Sequence, residues 1–589
     1  MLCRLITLLA MFAAVILSPR ATAQTISNPA QLWWGYDPAT EPLEIEVVKR
    51  WQEDGCAFET LRFIGEVANG VRTRVFAMQG APMGKTRLPG ILHIHGGGQT
   101  YSAEWVKFWT RRGYVCVSFD FCGPWQQRTE FTDWGPIAHA NMAQAAGGLQ
   151  VHPTPRESSW FHWAKAARRA LTLLANHPSV DPQRLGIFGI SVGGNLTSMV
   201  AGSDRRVKCA VAIYGSGYNY DRRKAALGFP EQTPDLALFQ QTLSPEAHAP
   251  YVTCPFLHLD ATNDFHAWLD YSDELLGAMK GETRQAFTPH YNHHTEPEQG
   301  ADLALWMDRY LRQGKPFPAS PRVAVRLNGQ GIPIGRLTVK EATQVRRVDF
   351  YYALGDRIPP ARFWRAVVAE RRGNEWRALL PVMDTWSDLH FFANVLYNSG
   401  ALLSSNLEHV IPAHIGPAEA SLEWKATLDQ WSDHLKHWYF TAGYTDPNIS
   451  KPYLRIEDGG PADQYLTLVP DLFGDPMQFS ISSHIVGDPQ FEGRPGMALA
   501  FDTKGAYVEG LTVSAVQDDW GPRARIFSAT VDPSQLGKDW RSVKLPISKF
   551  VDSEGHSLTA WRGVNKLEIK GKAGKSGPPC FARFQWVVE

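Results

Sequence analysis

At 589 residues the chain is too long for one hydrophobic core and implies two to four domains. Lys plus Arg (59) equals Asp plus Glu (59) and no basic block stands out, which argues against a nucleic-acid partner or a strongly anionic target surface. Seven cysteines, one of them at the extreme N-terminus, are too few for a disulfide scaffold, and Cys116, Cys209 and Cys254 sit in apolar runs that suit buried, reduced thiols.

Residues 1–23 read as a removable secretory leader. Arg4 supplies the positive start, Leu5 to Leu17 an apolar stretch too short to span a bilayer comfortably, and Ala21-Thr22-Ala23 a small-x-small cleavage site before Gln24. Cys3 precedes the apolar stretch, where it is badly placed for lipid attachment. No later run is long and apolar enough to cross a membrane. The expectation is a secreted or periplasmic protein without stable membrane insertion.

Residues 24–317 alternate strand-like and helix-like segments. Strands are expected at 59–66, 71–78, 89–95, 114–120, 184–190, 208–214, 255–260 and 284–289. Trp160, Trp163, Ala167, Leu171 and Leu174 recur at three- and four-residue steps, so 159–176 reads as an amphipathic helix ended by Asn176-His177-Pro178. Leu303, Trp306, Tyr310 and Leu311 mark a last helix. Apolar strands alternating with helices predict an α/β, doubly wound, mostly parallel sheet.

The pattern changes at the proline-rich stretch 316–321. Val323, Val325 and Leu327, then Val345 and Val348, Phe363 with Trp364, and Phe391 to Tyr397 are period-two segments separated by Gly, Pro and Asn. They predict a β-sandwich over 318–415. Residues 416–589 contain a second strand series, with alternation at Met497, Leu499 and Phe501, at Val543, Leu545 and Ile547, and at Phe584, Trp586 and Val588. A second all-β sandwich is expected there.

The chemistry centres on Gly189-Ile190-Ser191-Val192-Gly193, an apolar run, a very tight turn and a helix start that lift a serine hydroxyl off the end of a sheet. Its plain alternative is a glycine turn with no catalytic part. An activated serine needs oxyanion donors, an acid and a base. His95-Gly96-Gly97-Gly98 after the strand Ile91–Ile94 has the form of an oxyanion loop, with N–H groups from Gly97, Gly98 and Val192 as donors. His93 and His95 as a metal pair would need an acid where Gly97 stands, so no metal is expected. The acid follows the strand ending at Leu259: Asp264 is favoured over Asp260 because it lies further into the loop. The base follows the last strand, where His290, His293 and His294 crowd; His293 is favoured, with His294 next. Asp120 reads as a loop anchor. Trp125, Trp134 and Trp160, in and just after the segment that leaves the strand at 114–120, are candidates for lining a substrate site, although aromatic faces suit packing equally well.

The order oxyanion loop, Ser191, Asp264, His293 resembles that of the α/β-hydrolases, in their dienelactone-hydrolase and acetyl-esterase-like branch. The likeness rests on His95-Gly-Gly-Gly98, His177-Pro-Ser-Val-Asp-Pro182, Gly189-Ile-Ser-Val-Gly-Gly194, Asn263-Asp-Phe265 and Asn292-His293. It implies acyl transfer to water through a serine acyl-enzyme, with no cofactor. Val192 replaces the Gln that follows the serine in the cephalosporin and acetylxylan deacetylase group, and the glucuronoyl-esterase elbow is absent too. Residues 318–415 resemble a β-sandwich appended to some exported serine hydrolases. Residues 416–589 are similar to galactose-binding-type jelly rolls, through Trp540 to Phe550, Trp561 and Trp586. The expected substrate is an acylated polysaccharide, acetyl esters first. A serine peptidase of the same fold and an inert carbohydrate-binding protein are the other two readings.

Overall fold

A computed structural model describes residues 26–145, 150–215, 233–355, 358–429, 437–440, 453–521 and 523–589. The leader expected at 1–23 lies outside the described residues. The N-terminal unit is built on a nine-stranded sheet: β1 (Glu46–Glu53), β2 (Cys56–Ala68), β3 (Val71–Pro82), β4 (Leu88–Ile94), β5 (Val115–Phe119), β6 (Val180–Ile190), β7 (Val207–Ile213), β8 (Phe256–Ala261) and β9 (Thr283–Thr288). The spatial order is β1-β2-β3-β5-β4-β6-β7-β8-β9. β1 to β3 and the β3–β5 pair are antiparallel, and every pair from β5 through β4 to β9 is parallel.

The parallel strands are apolar because helices cover both faces. From Pro89 to Ile94 every residue of β4 is buried, and all of β5 and β8 are. Each of the eight expected strands is present with its ends shifted by a few residues. β1 is the strand the pattern missed. Its sequence, Glu-Val-Val-Lys-Arg-Trp-Gln-Glu, lies at a sheet edge with both faces largely wet, so no alternation survives. The helix at Ser159–Ala175 is capped by Ser158, whose hydroxyl accepts from the Trp160 N–H, and it buries a stripe including Trp163, Ala167, Leu171 and Leu174. Further helices run over Ala103–Arg111, Val192–Ser203 and Pro297–Arg312. β4 lies between β5 and β6, so the crossovers leave it in opposite directions, and the crevice at the carboxyl ends of these strands is where a ligand fits.

Four antiparallel sheets follow among the described residues. Two of them enclose one core: Val325, Leu337 and Trp376 from one meet Phe350, Phe391 and Val395 from the other. Gly335 is required there, because a Cβ would fall on the Phe391 ring. The other two sheets enclose a second core containing Phe479, Val513 and Ile569 against Leu499, Phe501 and Phe584. In this pair the strand Met497–Lys504 lies between Cys580–Val588 and Arg541–Leu545. Trp561 and Trp586 belong to its core at 2% and 3% exposure, so neither ring faces a ligand.

The first sandwich is fastened to β9, the last strand of the nine-stranded sheet. Ser404 Oγ accepts from the Phe287 N–H at 2.7 Å, Gln285 Nε2 donates to the Ser405 carbonyl at 2.7 Å, and Asn394 Nδ2 donates to the Phe287 carbonyl at 2.9 Å. Leu269, Phe287, Tyr351, Trp364 and Phe392 close the seam with an apolar cluster. An Arg365–Asp488 ion pair ties the first sandwich to the second. The six cysteines among the described residues are all buried, and none forms a disulfide with another.

Candidate functional site

Ser191 stands between β6 and the helix Val192–Ser203 at φ 58°, ψ −120°, a sparsely populated conformation for a residue with a side chain. The glycines around it are there for space. A Cβ at Gly189 would fall on the Gly193 carbonyl, and one at Gly193 on the Ile94 and His95 carbonyls. The Ser191 N–H donates to the Ile213 carbonyl at 2.9 Å, and its own carbonyl accepts from Gly194 and Asn195 at 2.8 and 3.2 Å. The strained turn is thus tied to β7 below and to its helix above.

His293 Nδ1 is 2.8 Å from Asp264 Oδ2, and Nε2 is 2.9 Å from Ser191 Oγ. A carboxylate only accepts, so Nδ1 carries the proton, and the Nε2 lone pair faces the serine hydroxyl. Asp264 is fully buried, and its other oxygen accepts from the His266 and Ala267 N–H groups at 2.5 and 2.8 Å. Asp260, the competing acid, ends β8 fully buried; burial first, then the nearby Asp264 charge, pushes its carboxyl well above the usual range. His294 stacks on Tyr291, with centroids 5.9 Å apart, and His290 faces Phe363 and His437 at 5.4 and 5.3 Å. Of the three crowded histidines, the one bonded to both Ser191 and Asp264 is His293.

Gly97 lies against Val192: a Cβ there would be 3.0 Å from Val192 Cγ2 and 2.7 Å from Met142 Cε. The N–H groups of Gly97 and Val192 have no acceptor among the described residues. Both are therefore available to a negative charge developing beside Ser191, at the positive end of its helix. Gly98 is left-handed at φ 70° and turns its carbonyl to Arg128, whose guanidinium donates to Gly98 O at 2.6 Å and Gln99 O at 2.7 Å. His95 holds the loop from inside, with Nδ1 donating to Gly96 O at 2.7 Å and Nε2 accepting from Phe121 N at 3.1 Å. Burial first, and Arg128 in addition, pushes its pKa down to about 3, so it stays neutral. Asp120 is a loop anchor, accepting from Gly123 and Thr132 N–H at 3.0 and 2.8 Å. His93 is buried, with Nδ1 2.8 Å from Ser118 Oγ and its ring against Phe188.

The three candidate tryptophans part company. Trp125 lies beside the oxyanion loop, its Nε1 3.6 Å from where a Gly98 Cβ would be. Trp134 is 1% exposed and donates to the Phe121 carbonyl, so it is packing and not a ligand surface. Trp160 packs on Trp163 and Phe239 at 5.5 and 6.1 Å, against the hydrophobic core.

The residues that sequence reasoning missed come from far along the chain. Asn263 Nδ2 donates to the carbonyls of Pro359, Pro360 and Arg362 at 3.2, 3.2 and 2.6 Å, clamping the acid loop to the first sandwich. Arg362 forks onto Asp270 at 2.9 and 3.0 Å. Phe265 packs on His293 at 4.7 Å and also stacks on Trp520 of the last sandwich at 5.9 Å and 18°. No local pattern could announce Trp520.

This sheet order, elbow and loop arrangement define an α/β-hydrolase, followed by all-β sandwiches. Residues 60–248 match the family model described as acetyl xylan esterase (AXE1). The chain is 26% identical over 273 residues to the "Uncharacterized peptidase YuxL" of Bacillus subtilis (strain 168), covering 41% of this chain and 38% of that one. It thus matches well under half the length of that curated relative. Among solved structures it is similar to acetyl xylan esterase 1 from Thermoanaerobacterium sp. JW/SL YS485, at 17% identity and TM-score 0.38 over 45% of this chain and 87% of that one. A putative dienelactone hydrolase from Klebsiella pneumoniae subsp. pneumoniae MGH 78578 is similar at 16% identity and TM-score 0.31, over 44% and 99%. No helix among the described residues is long and apolar enough to cross a membrane.

Proposed function

We propose that this protein is an exported serine carboxylesterase that removes acyl groups, acetyl foremost, from polysaccharides. The observation that carries the reading is the Asp264–His293–Ser191 hydrogen-bond chain, 2.8 and 2.9 Å long, ending on a serine held in a strained turn. Three units are proposed: a catalytic unit over 24–317 after the leader, a sandwich over 318–415, and a jelly roll of carbohydrate-binding type over 416–589.

Ser191 Oγ forms a bond to the ester carbonyl carbon as its proton passes to His293 Nε2, and the carbonyl π pair becomes an oxyanion. Asp264 holds the imidazole and balances its positive charge. The N–H groups of Gly97 and Val192 bind the oxyanion, each worth about 3 kcal/mol of barrier. The carbon–oxygen bond to the sugar then breaks, His293 returns the proton to the departing hydroxyl, and the acyl group remains on Ser191. Water repeats the cycle, giving the free acid and the serine. No step calls for a cofactor.

Acid release from acetylated xylan by wild type and Ser191→Ala tests this. Release lost in the variant supports serine-dependent deacetylation; none from either protein sinks the acetylxylan substrate. The alternative, an exported peptidase of the same fold, is favoured by the name of the B. subtilis relative. Peptide turnover without ester turnover would select it. A Ser191 that resists a fluorophosphonate would defeat both and leave a carbohydrate-binding protein.

A further inference from the structure

The chain between β5 and the helix Ser159–Ala175 is a long excursion whose described residues form two 3₁₀ turns, Ala138–Ala140 and Pro155–Glu157, and a single bridge from Asp133 to Arg74. Excursions of this length without regular structure need something to hold them. This one carries Arg128 and Trp125, which brace the oxyanion loop. His139 lies on the first turn, Glu157 on the second and His162 near the start of the helix. One ligand atom from each lies within 4.8 Å of the other two.

The chemistry of these atoms is one-sided. His162 Nδ1 is 2.7 Å from Glu66 Oε1, and Glu66 Oε2 accepts from Lys165 Nζ at 2.5 Å. An ionised carboxylate fixes the proton on Nδ1 and leaves the Nε2 lone pair free. His162 is 7% exposed, and that Nε2 is buried with no hydrogen-bond partner. His139 Nε2 is buried without a partner as well. The two rings meet edge to face at 5.3 Å and 61°, and no hydrogen bond joins any of the three side chains to another. Two imidazole lone pairs and a carboxylate thus converge with no donor among them, an arrangement that is costly unless a cation or its equivalent sits between them.

We propose that His139, Glu157 and His162 bind a divalent transition cation, zinc first. Two imidazoles and one carboxylate suit that class, whereas calcium and magnesium require oxygen ligands throughout. The Glu66–His162 bond is the outer carboxylate that orients a metal-ligating imidazole and raises its basicity. A bound zinc ties both turns of the excursion to the helix and so steadies Arg128 beneath the oxyanion loop. None of the three residues contacts Ser191, Asp264 or His293, so the ion is structural and takes no part in acyl transfer. The sequence expectation of no metal is revised at this one place.

The test uses the full-length mature protein, stripped with chelator, loaded with zinc sulfate, desalted and analysed by elemental mass spectrometry alongside a thermal melt. One zinc per chain and a raised Tm are expected. His139→Gln and Glu157→Gln, both at partly exposed positions, should lose the metal and the zinc-dependent part of Tm while keeping the wild-type circular dichroism. Glu66→Gln should weaken zinc about 10- to 100-fold. Wild type that retains no zinc overturns the proposal. Zinc retained equally by the ligand variants overturns it too, assigning the metal to another histidine cluster.

Discussion

The two halves of the candidate site are held by different parts of the chain. The oxyanion half is braced from within the hydrolase unit, by His95, Asp120 and Arg128, all within the segment that also carries Gly97. The acid–base half leans on the sandwiches: Asn263 donates to three carbonyls of residues 359–362, His290 faces Phe363 and His437, and Phe265 lies under Trp520. The lesson is that the position of Asp264 and His293 is not a property of the hydrolase unit alone. Its sheet supplies the loops, and the downstream β units fix their ends.

The largest effect removes what both halves serve. Ser191→Ala should lower kcat about 10⁶-fold with substrate binding retained, measured as ester turnover against binding of an uncleaved glycan. Asp264→Asn keeps the shape but reverses the tautomer logic of His293, and should cost about 10⁴-fold. Next come variants that separate the halves. Asn263→Ala strips the donor from three buried carbonyls, destabilising by about 1–3 kcal/mol and loosening the acid loop enough to cost about 10²-fold in kcat. Arg128→Met loosens a loop that His95 still holds, and a loss of about 10-fold is expected, a fraction of one oxyanion donor. If Arg128→Met is the more damaging of the two, the comparison is inverted and the downstream units are passengers.

A smaller effect isolates the oxyanion half by pH. Neutral His95 both donates and accepts, with its folded pKa pushed down to about 3 by burial. The unfolded chain titrates near 6.5, so it binds more protons than the folded chain between these values. The stability contribution of His95 is full above about pH 6.5 and is lost as pH falls toward 3. Urea melts across that interval should show wild-type stability falling more steeply than that of His95→Gln, by up to about 1.4 kcal/mol per pH unit. Parallel slopes would remove His95 from the account.

What could be read in advance follows from where the deciding forces act. Ile91-Leu92-His93-Ile94 announces a strand because both of its faces are covered, while Glu46–Glu53 is silent because an edge strand has no buried face to advertise. The elbow was legible because its glycines are demanded by close backbone contacts, at Gly193 within the turn itself and at Ile94 and His95 at the end of the neighbouring strand. The choice among His290, His293 and His294 could be ranked by reach but not closed. Neighbouring loop residues differ only in backbone angle, and His293 at φ 48° points back to Ser191 while His294 turns to Tyr291. Tryptophans were hardest. Trp134 is core, and nothing local marks it off from Trp125, because burial of an aromatic ring is set by tertiary packing.

Trp520 is the sharpest case, since its effect is expected to be small and specific. It is held at φ 65°, in a left-handed conformation that costs a bulky residue about 1–3 kcal/mol. The turn persists because Asp518 O accepts from Gly521 N at 2.7 Å, Asn565 Oδ1 accepts from Asp519 N at 2.8 Å, and Asp519 bonds His484 at 2.9 Å. That expense brings one indole from the last sandwich against Phe265, the neighbour of His293. On the proposed polysaccharide substrate, a ring so placed would meet a sugar unit but not the small acyl group beside Ser191. Trp520→Ala should therefore raise KM for acetylated polysaccharide about 3- to 10-fold, the value of one aromatic contact, and leave turnover of p-nitrophenyl acetate unchanged. Equal losses on both substrates would mean that Trp520 only props Phe265 and His293, making the last sandwich a support. A loss on the polymer alone makes it part of the substrate surface.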